Sequence, residues 1–144
     1  MQFCQEKLNK HRVKCLQDVE NACFPDEKLS RRSLRRFVNK DQHYLLIDLY
    51  KLELQGALVY IIYKHSLRIY SVGIMPKYQG QGLGKVLVNY AKYKATELSK
   101  SKVTLECRDN LVPFYYKLGF TKTKLLKNYY NNGDDAWKMV LKIS

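Results

Sequence analysis

The sequence predicts an α+β domain, a mixed but mostly antiparallel central sheet flanked by helices. Three observations carry this expectation. Runs rich in Ile, Leu, Val and Tyr follow one another between residues 44 and 75, with connections as short as Lys64-His65-Ser66, and only antiparallel neighbours accommodate links of that length. Residues 82–99 return to a helical period. Beyond them come one strand-sized segment, a short helix and two further strands. With 144 residues the chain has room for one core, so residues 1–144 are expected to form a single domain.

Taken in order, the first third reads as helical. Val13, Leu16, Val19, Ala22 and Cys23 recur at helical spacing from His11 to Cys23. Phe24-Pro25-Asp26 interrupts them, since proline disfavours helix in the residue before it. A second helix is expected from about Ser30 to Val38, with Leu34, Phe37 and Val38 inward and Arg31, Arg32, Arg35 and Arg36 outward. Tyr44–Tyr50 and Ala57–Tyr63 read as strands joined by a turn at Gln55-Gly56, and Leu67–Met75 as a third strand ending at Pro76. Leu83, Val86, Leu87, Tyr90, Ala91, Lys94 and Leu98 mark the long helix. A strand at Lys102–Cys107, a short helix near Leu111–Leu118 and strands around Phe120–Leu126 and Asp135–Ile143 complete the pattern.

Composition narrows the classes. The chain is 46% hydrophobic and 27% charged, with 3 Pro and 7 Gly, which excludes a disordered tail and a collagen-like rod. Apolar runs such as Gly56–Tyr63 are too short to span a bilayer, and Met1–Lys14 lacks the apolar core of a signal peptide. A soluble, cytoplasmic protein without membrane contact is expected. Lys and Arg number 26 against 13 Asp and Glu, a net charge of +13. That excess favours an anionic partner such as nucleic acid, a phosphorylated cofactor or an acidic protein; a lysine-rich solvated surface accounts for it equally well. Cys4, Cys15, Cys23 and Cys107 form no CxxC pair and no metal-ligand spacing with His11, His43 or His65. Reduced structural thiols, and no metal site, are expected.

The most informative stretch is Ile74-Met75-Pro76-Lys77-Tyr78-Gln79-Gly80-Gln81-Gly82-Leu83-Gly84-Lys85, a strand-to-helix junction with three glycines in five residues. Glycines let backbone N–H groups surround an anion, and the start of the following helix adds its positive dipole end. A diphosphate is the natural guest. A Walker loop is excluded, because Gln79 and Val86 stand where it needs Gly and Ser or Thr. A GxGxxG dinucleotide fingerprint from Gly80 fails at Lys85.

Gln79-x-x-Gly82-x-Gly84 instead resembles the Q/R-x-x-G-x-G/A signature of the Gcn5-related N-acetyltransferase (GNAT) superfamily. The resemblance runs from about His11 onward. Leu67–Met75 is similar to the family's fourth strand, and Asn110-Leu-Val-Pro-Phe-Tyr-Tyr-Lys-Leu-Gly-Phe120 to its "N…fYeklGF" segment. Thr104-Leu-Glu-Cys-Arg108, Asn110, Asn128-Tyr-Tyr130 and Asp135-Ala-x-x-Met139 resemble the ribosomal-protein-alanine N-acetyltransferase subgroup, whose members acetylate a protein's α-amino group. The stretch between Glu106 and the Tyr of the latter segment is shorter than that subgroup's pattern, a compact form shared with acetyltransferases of small molecules.

The resemblance implies a GNAT fold with acetyl-coenzyme A in the cleft beside the fourth strand. It places Val72, Gly73, Ile74, Gln79, Gly80, Gln81, Gly82, Leu83, Gly84, Lys85 and Asn110 against the cofactor. Backbone groups of Val72–Ile74 would polarise the thioester carbonyl. Asn110 is equally explicable as a helix N-cap. The resemblance also puts the proton acceptor at Glu106, which sits in an otherwise apolar strand where partial burial is expected to make it a better base; a solvent-facing carboxylate, or one paired with Arg108, is the plainer alternative. Tyr115 stands where the family's proton-donating Tyr lies. Tyr116, about 100° further round a helix, cannot face the same way. Tyr129 and Tyr130 are candidates for shaping the acceptor pocket, or simply an aromatic strand end. Cys107 is set aside as a nucleophile, because strand alternation turns it away from Glu106.

The reading is therefore direct attack by an amine on acetyl-coenzyme A, with a protein or peptide N-terminus, ribosomal among the possibilities, as acceptor. The alternatives are a small amine (amino sugar, polyamine or antibiotic), a lysine side chain, a coenzyme-binding domain without catalysis, or a basic nucleic-acid-binding module. No motif supports the last, so nucleic acid enters as an auxiliary contact only. Monomer and homodimer stay open.

Overall fold

The computed structural model of the chain describes residues 2–4, 18–19, 21–23, 42–49 and 53–143. They contain a seven-stranded sheet. Its strands are β1 (Gln2–Cys4), β2 (Gln42–Leu49), β3 (Glu53–Ile62), β4 (Ser66–Ile74), β5 (Lys102–Cys107), β6 (Thr121–Leu126) and β7 (Ala136–Lys142). Their order across the sheet is β1-β2-β3-β4-β5-β7-β6. Every pairing is antiparallel except β4 with β5. That parallel pair needs a crossover, and α1 (Leu83–Glu97) supplies it. The short helix α2 (Val112–Lys117) links β5 to β6. The sheet is thus mixed and mostly antiparallel, as the sequence predicts.

α1 buries Leu83, Leu87, Val88, Ala91 and Ala95. Leu58 and Tyr60 of β3, Leu67 and Ile69 of β4, Val103, Leu105 and Cys107 of β5, Met139 of β7, Tyr115 and Phe120 complete this core. Small Ala91 and Ala95 bring the helix close to the sheet, so large side chains come from the strands. Leu98, expected inward, is exposed, because α1 ends at Glu97 and Leu98 is its C-cap.

Three expectations are corrected. β1 arises in a segment that reads as helical, since three residues carry no periodicity of their own; it pairs with Leu46–Asp48 of β2. Gln55-Gly56 is no turn. Both residues lie within β3, where Gly56 pairs with Ile47 and Ile74. A Cβ on Gly56 would meet the Gly73 carbonyl oxygen and Ile74 Cδ1, each at 2.7 Å, so the glycine marks a close backbone approach inside a strand. Asn110 is no N-cap either: it lies in the 3-10 turn Asp109–Leu111, and α2 is capped by Leu111 without a side-chain bond.

Of the first expected helix, residues 18–19 and 21–23 are described and helical. Val19 is buried as expected, whereas Ala22 is exposed. The helix expected at 30–38 and its four arginines lie outside the described residues. Cys107 is a free, buried thiol. Among the described residues no helix is long and apolar enough to cross a membrane.

Burial of ionisable groups in this core gives a testable pH response. Burial pushes the Cys107 thiol up from its ordinary 9.0 to about 11, with Asp109 and Glu106 adding to it. It also raises the Tyr60 and Tyr115 phenols above their ordinary 10.0. Groups whose neutral form is favoured by folding stabilise the protein fully below their unfolded values. That contribution is lost as pH rises through the folded ones. Stability in urea is therefore expected to fall progressively from about pH 9 through pH 11 as Cys107 titrates, with the tyrosines adding from pH 10 upward. A constant urea midpoint between pH 8 and 11 would contradict this.

Candidate active site

The site begins where two strands part. β4 and β5 pair only from Ser66–Ile69 against Lys102–Leu105. β4 continues to Ile74 along β3 alone, and β5 continues to Cys107 along β7. Between Ile69 and Ser71 the β3–β4 register shifts by one residue at Tyr70, a bulge that bends β4 away. Beyond it, the Met75 N–H donates to Gln55 O at 2.8 Å. Alternation along the strand then turns the backbone groups of Gly73 towards Ala57 of β3 and those of Val72 and Ile74 towards the edge that β5 has left. Of the three residues expected to meet a ligand through their backbones, two face the opening and Gly73 does not. The Ile74 carbonyl is engaged by Cys23 Sγ and Gln79 Nε2, both at 3.0 Å, which leaves its N–H and both groups of Val72 at the open edge.

The glycine loop follows directly. Pro76–Tyr78 form a 3-10 turn with Tyr78 buried. Gly80 and Gly82 both take positive φ, +82° and +80°, and a Cβ at either would meet nothing within 4 Å. Gly82 caps α1, and the Val86 N–H closes the first turn onto its carbonyl. The N–H groups of Leu83, Gly84 and Lys85 have no partner within the helix and point from its start. Leu83 offers the loop only this N–H, because its side chain is in the core. Gly84 lies beside the Phe114 ring, where a Cβ would make an ordinary van der Waals contact at 3.5 Å. Gln79, Gly80, Gln81 and Lys85 are exposed along the loop, and Asn110 is exposed beside α2. An open strand edge leading to a helix start lined by free amides fits an extended, diphosphate-bearing molecule such as acetyl-coenzyme A.

Glu106 lies at the mouth of the opening, its side chain 14% exposed. It is neither solvent-facing nor paired with Arg108. Arg68 Nε of β4 donates to Glu106 Oε2 at 3.0 Å. Glu106 is partly buried, as expected, and a guanidinium from the neighbouring strand accompanies it. The same guanidinium reaches outward through Nη2 to the Tyr129 hydroxyl at 3.2 Å and lies 5.6 Å from the Tyr70 ring centre.

Tyr129 and Tyr130 sit beyond the end of β6, in the connection to β7, so they are not a strand end. Their rings are perpendicular, with centres 5.1 Å apart. Asn128, at φ +55°, donates its N–H to Asp135 Oδ1 at 2.9 Å. The Tyr130 N–H donates to Asp134 O at 3.1 Å. Arg108 spans the loop: it pairs with the Asp134 carboxylate and lies 4.1 Å from the Tyr130 ring centre. Burial raises the Tyr130 phenol to about 12 against the lowering effect of Arg108. Burial and the Glu106 charge raise that of Tyr129, with Arg68 opposing.

Tyr115 and Tyr116 divide as their spacing on a helix requires. Tyr115 is buried between Phe114 and Phe120, ring centres 4.9 and 5.8 Å away, whereas Tyr116 is 66% exposed. Burial, then Cys107 and Tyr130, hold the Tyr115 phenol above its ordinary range. Cys107 Sγ lies 3.6 Å from Met139 Sδ on the core face, away from Glu106. Its raised thiol is the environment of an inert cysteine. Arg68 was not among the sequence candidates. Its signal was available: one charged residue inside the apolar Leu67–Tyr70, as Glu106 is inside Leu105–Cys107.

Such a cleft is that of a transferase binding an extended cofactor along one strand. Residues 5–143 match the family model of the acetyltransferase (GNAT) domain. The chain belongs to the GNAT family and is an acetyl-coenzyme-A-dependent N-acetyltransferase. It is 33% identical over 110 residues, 74% of this chain and 72% of the other, to a Bacillus subtilis protein named for ribosomal-protein-bS18-alanine N-acetylation. Its fold superposes on the ribosomal-protein-alanine N-acetyltransferase of Escherichia coli with a TM-score of 0.86 at 19% identity, over 99% of this chain and 95% of that one. It also superposes on Arabidopsis thaliana Naa50 in complex with the bisubstrate analogue CoA-Ac-MVNAL, with a TM-score of 0.79 at 18% identity over 98% and 99% of the two chains.

Proposed function

We propose that this chain, as a single domain over residues 1–144, acetylates the α-amino group of a protein N-terminus, a ribosomal protein among its acceptors, in the cytoplasm. The observation that carries the reading is the Glu106 carboxylate, fixed by Arg68 at the mouth of the β4–β5 opening. The likeness to the Bacillus subtilis relative supports the acceptor class.

Acetyl-coenzyme A supplies an activated acetyl group as a thioester. The Gly80–Lys85 loop and the first amides of α1 hold its diphosphate, and Asn110 contacts it from beside α2. The pairing of Gly73 with β3 fixes the N–H groups at the open edge: that of Val72, the nearer to Glu106 along the sheet, donates to the carbonyl oxygen where negative charge grows, and that of Ile74, two residues further on, to the extended remainder of the cofactor. An α-amino group, with a pKa of roughly 7.7–8.0, is partly neutral near physiological pH, so a carboxylate suffices to take its proton. Glu106 is that acceptor. Its pairing with Arg68 leaves one oxygen, Oε1, for the incoming amine. Tyr129 and Tyr130, held over the opening by two arginines, form the wall against which the acceptor lies. Tyr115 holds its proton at the phenol oxygen through the neutral and moderately alkaline range, ready for the sulfur that leaves.

The test is thiol release from acetyl-coenzyme A with peptides whose N-termini are free, the same peptides blocked, and a panel of small amines. Turnover is expected with free N-termini alone. Turnover with small amines alone would overturn the acceptor class while leaving the family in place.

A further inference from the structure

We propose that Arg68 is a positioning residue that holds the proton acceptor and the acceptor wall in one fixed relation. The inference rests on the reading above of Glu106 as base and Tyr129 as wall. Arg68 stands on β4 opposite Thr104 of β5, one pair before the last, Ile69 with Leu105, at which the strands part. Its guanidinium donates in divergent directions, from Nε to Glu106 Oε2 at 3.0 Å and from Nη2 to the Tyr129 hydroxyl at 3.2 Å, and it also shares a side-chain hydrogen bond with Tyr63. Glu106 belongs to a strand and Tyr129 to a connection, and among the described residues no hydrogen bond joins their side chains directly. One planar fork therefore sets the distance from the base to the pocket wall, which a point charge such as lysine cannot do.

The exposures support a positioning role over a surface ion pair. The side chains are 26% and 14% exposed for Arg68 and Glu106, so the pair is largely withdrawn from solvent. Tyr129 is 44% exposed and is the outermost member. Its neighbour Tyr130 is fixed separately, by Arg108. The two tyrosines are thus held by two arginines, Arg68 on β4 and Arg108 just beyond the end of β5, and of the two it is Arg68 that also bonds Glu106. Lys138 of β7 stands opposite Glu106 in register, but no bond joins their side chains among those described.

The experiment is a mutant cycle of Arg68→Met, Tyr129→Phe and their combination, with Arg68→Lys and Glu106→Gln alongside. Activity is measured with a free-N-terminus peptide, and acetyl-coenzyme A affinity by direct titration. Arg68→Met is expected to lower kcat tenfold to about 100-fold, the scale of misplacing a reacting group by about an ångström, with cofactor affinity unchanged. Arg68→Lys should recover part of the rate. Tyr129→Phe should slow the wild type severalfold and slow Arg68→Met no further, because its hydroxyl acts through the guanidinium. Wild-type kcat in Arg68→Met, or effects that simply multiply, would overturn the inference. If Arg68→Met loses cofactor binding, Arg68→Lys decides: reduced kcat at unchanged affinity supports the role, and parallel loss of both overturns it. Wild-type turnover in Glu106→Gln would instead remove the reading beneath it, whatever Arg68 does.

Discussion

Glu106→Gln is expected to lower kcat by between about 100-fold and 10,000-fold, the range that a positioned general base contributes. Acetyl-coenzyme A affinity should stay as it is, because the contacts proposed for the cofactor are β4, the glycine loop and Asn110, not Glu106. The amide keeps the size of the carboxyl and can still accept from Arg68 Nε through its oxygen, which preserves the local packing. What it loses is the capacity to take a proton from the amine. Steady-state rates with a free-N-terminus peptide and a separate titration of acetyl-coenzyme A check both halves. Undiminished turnover would show that water or another group accepts the proton.

Gly82→Ala should act on the opposite half of the reaction. Gly82 holds φ +80° as the cap of α1, a conformation that costs an L-residue roughly 1–2 kcal/mol. A Cβ there touches no protein atom within 4 Å, so the folded chain bears only that strain. The space it enters is the one the loop keeps open at the helix start. The KM for acetyl-coenzyme A is expected to rise about tenfold or more, the equivalent of losing about 1.4 kcal/mol of binding, with kcat changed far less. The melting temperature should fall by only a few degrees, at about 2–4 °C per kcal/mol for a chain near this size. Unchanged KM would place the diphosphate elsewhere.

Much of this arrangement was legible in the residues because it is local. The spacing of Gln79, Gly82 and Gly84 fixes a strand-to-helix junction within one segment, and the structure places it at Pro76–Val86. The strand Lys102–Cys107 carries an alternation that leaves Glu106 and Cys107 on opposite faces, and helical spacing separates Tyr115 from Tyr116. What escaped depends on pairing between distant segments. Gln55-Gly56 carries turn chemistry, yet Gly56 serves a close approach to Gly73 that only the β3–β4 register creates. β7 slots between β5 and β6, an order to which neither strand's composition points. Arg108, two residues beyond Glu106, is the partner that the plainer alternative offers it. Parallel pairing of β4 with β5 instead brings Arg68 across 38 residues of chain to that position, while Arg108 turns to Asp134 and Tyr130.

The most direct test of the central claim is the position of the transferred acetyl group. A peptide with a free N-terminal alanine and one internal lysine, incubated with acetyl-coenzyme A and the protein, would be sequenced by tandem mass spectrometry. The account predicts acetyl on the α-amino nitrogen alone. Acetyl on the lysine side chain, or an unmodified peptide while small amines in the same mixture are acetylated, would contradict it.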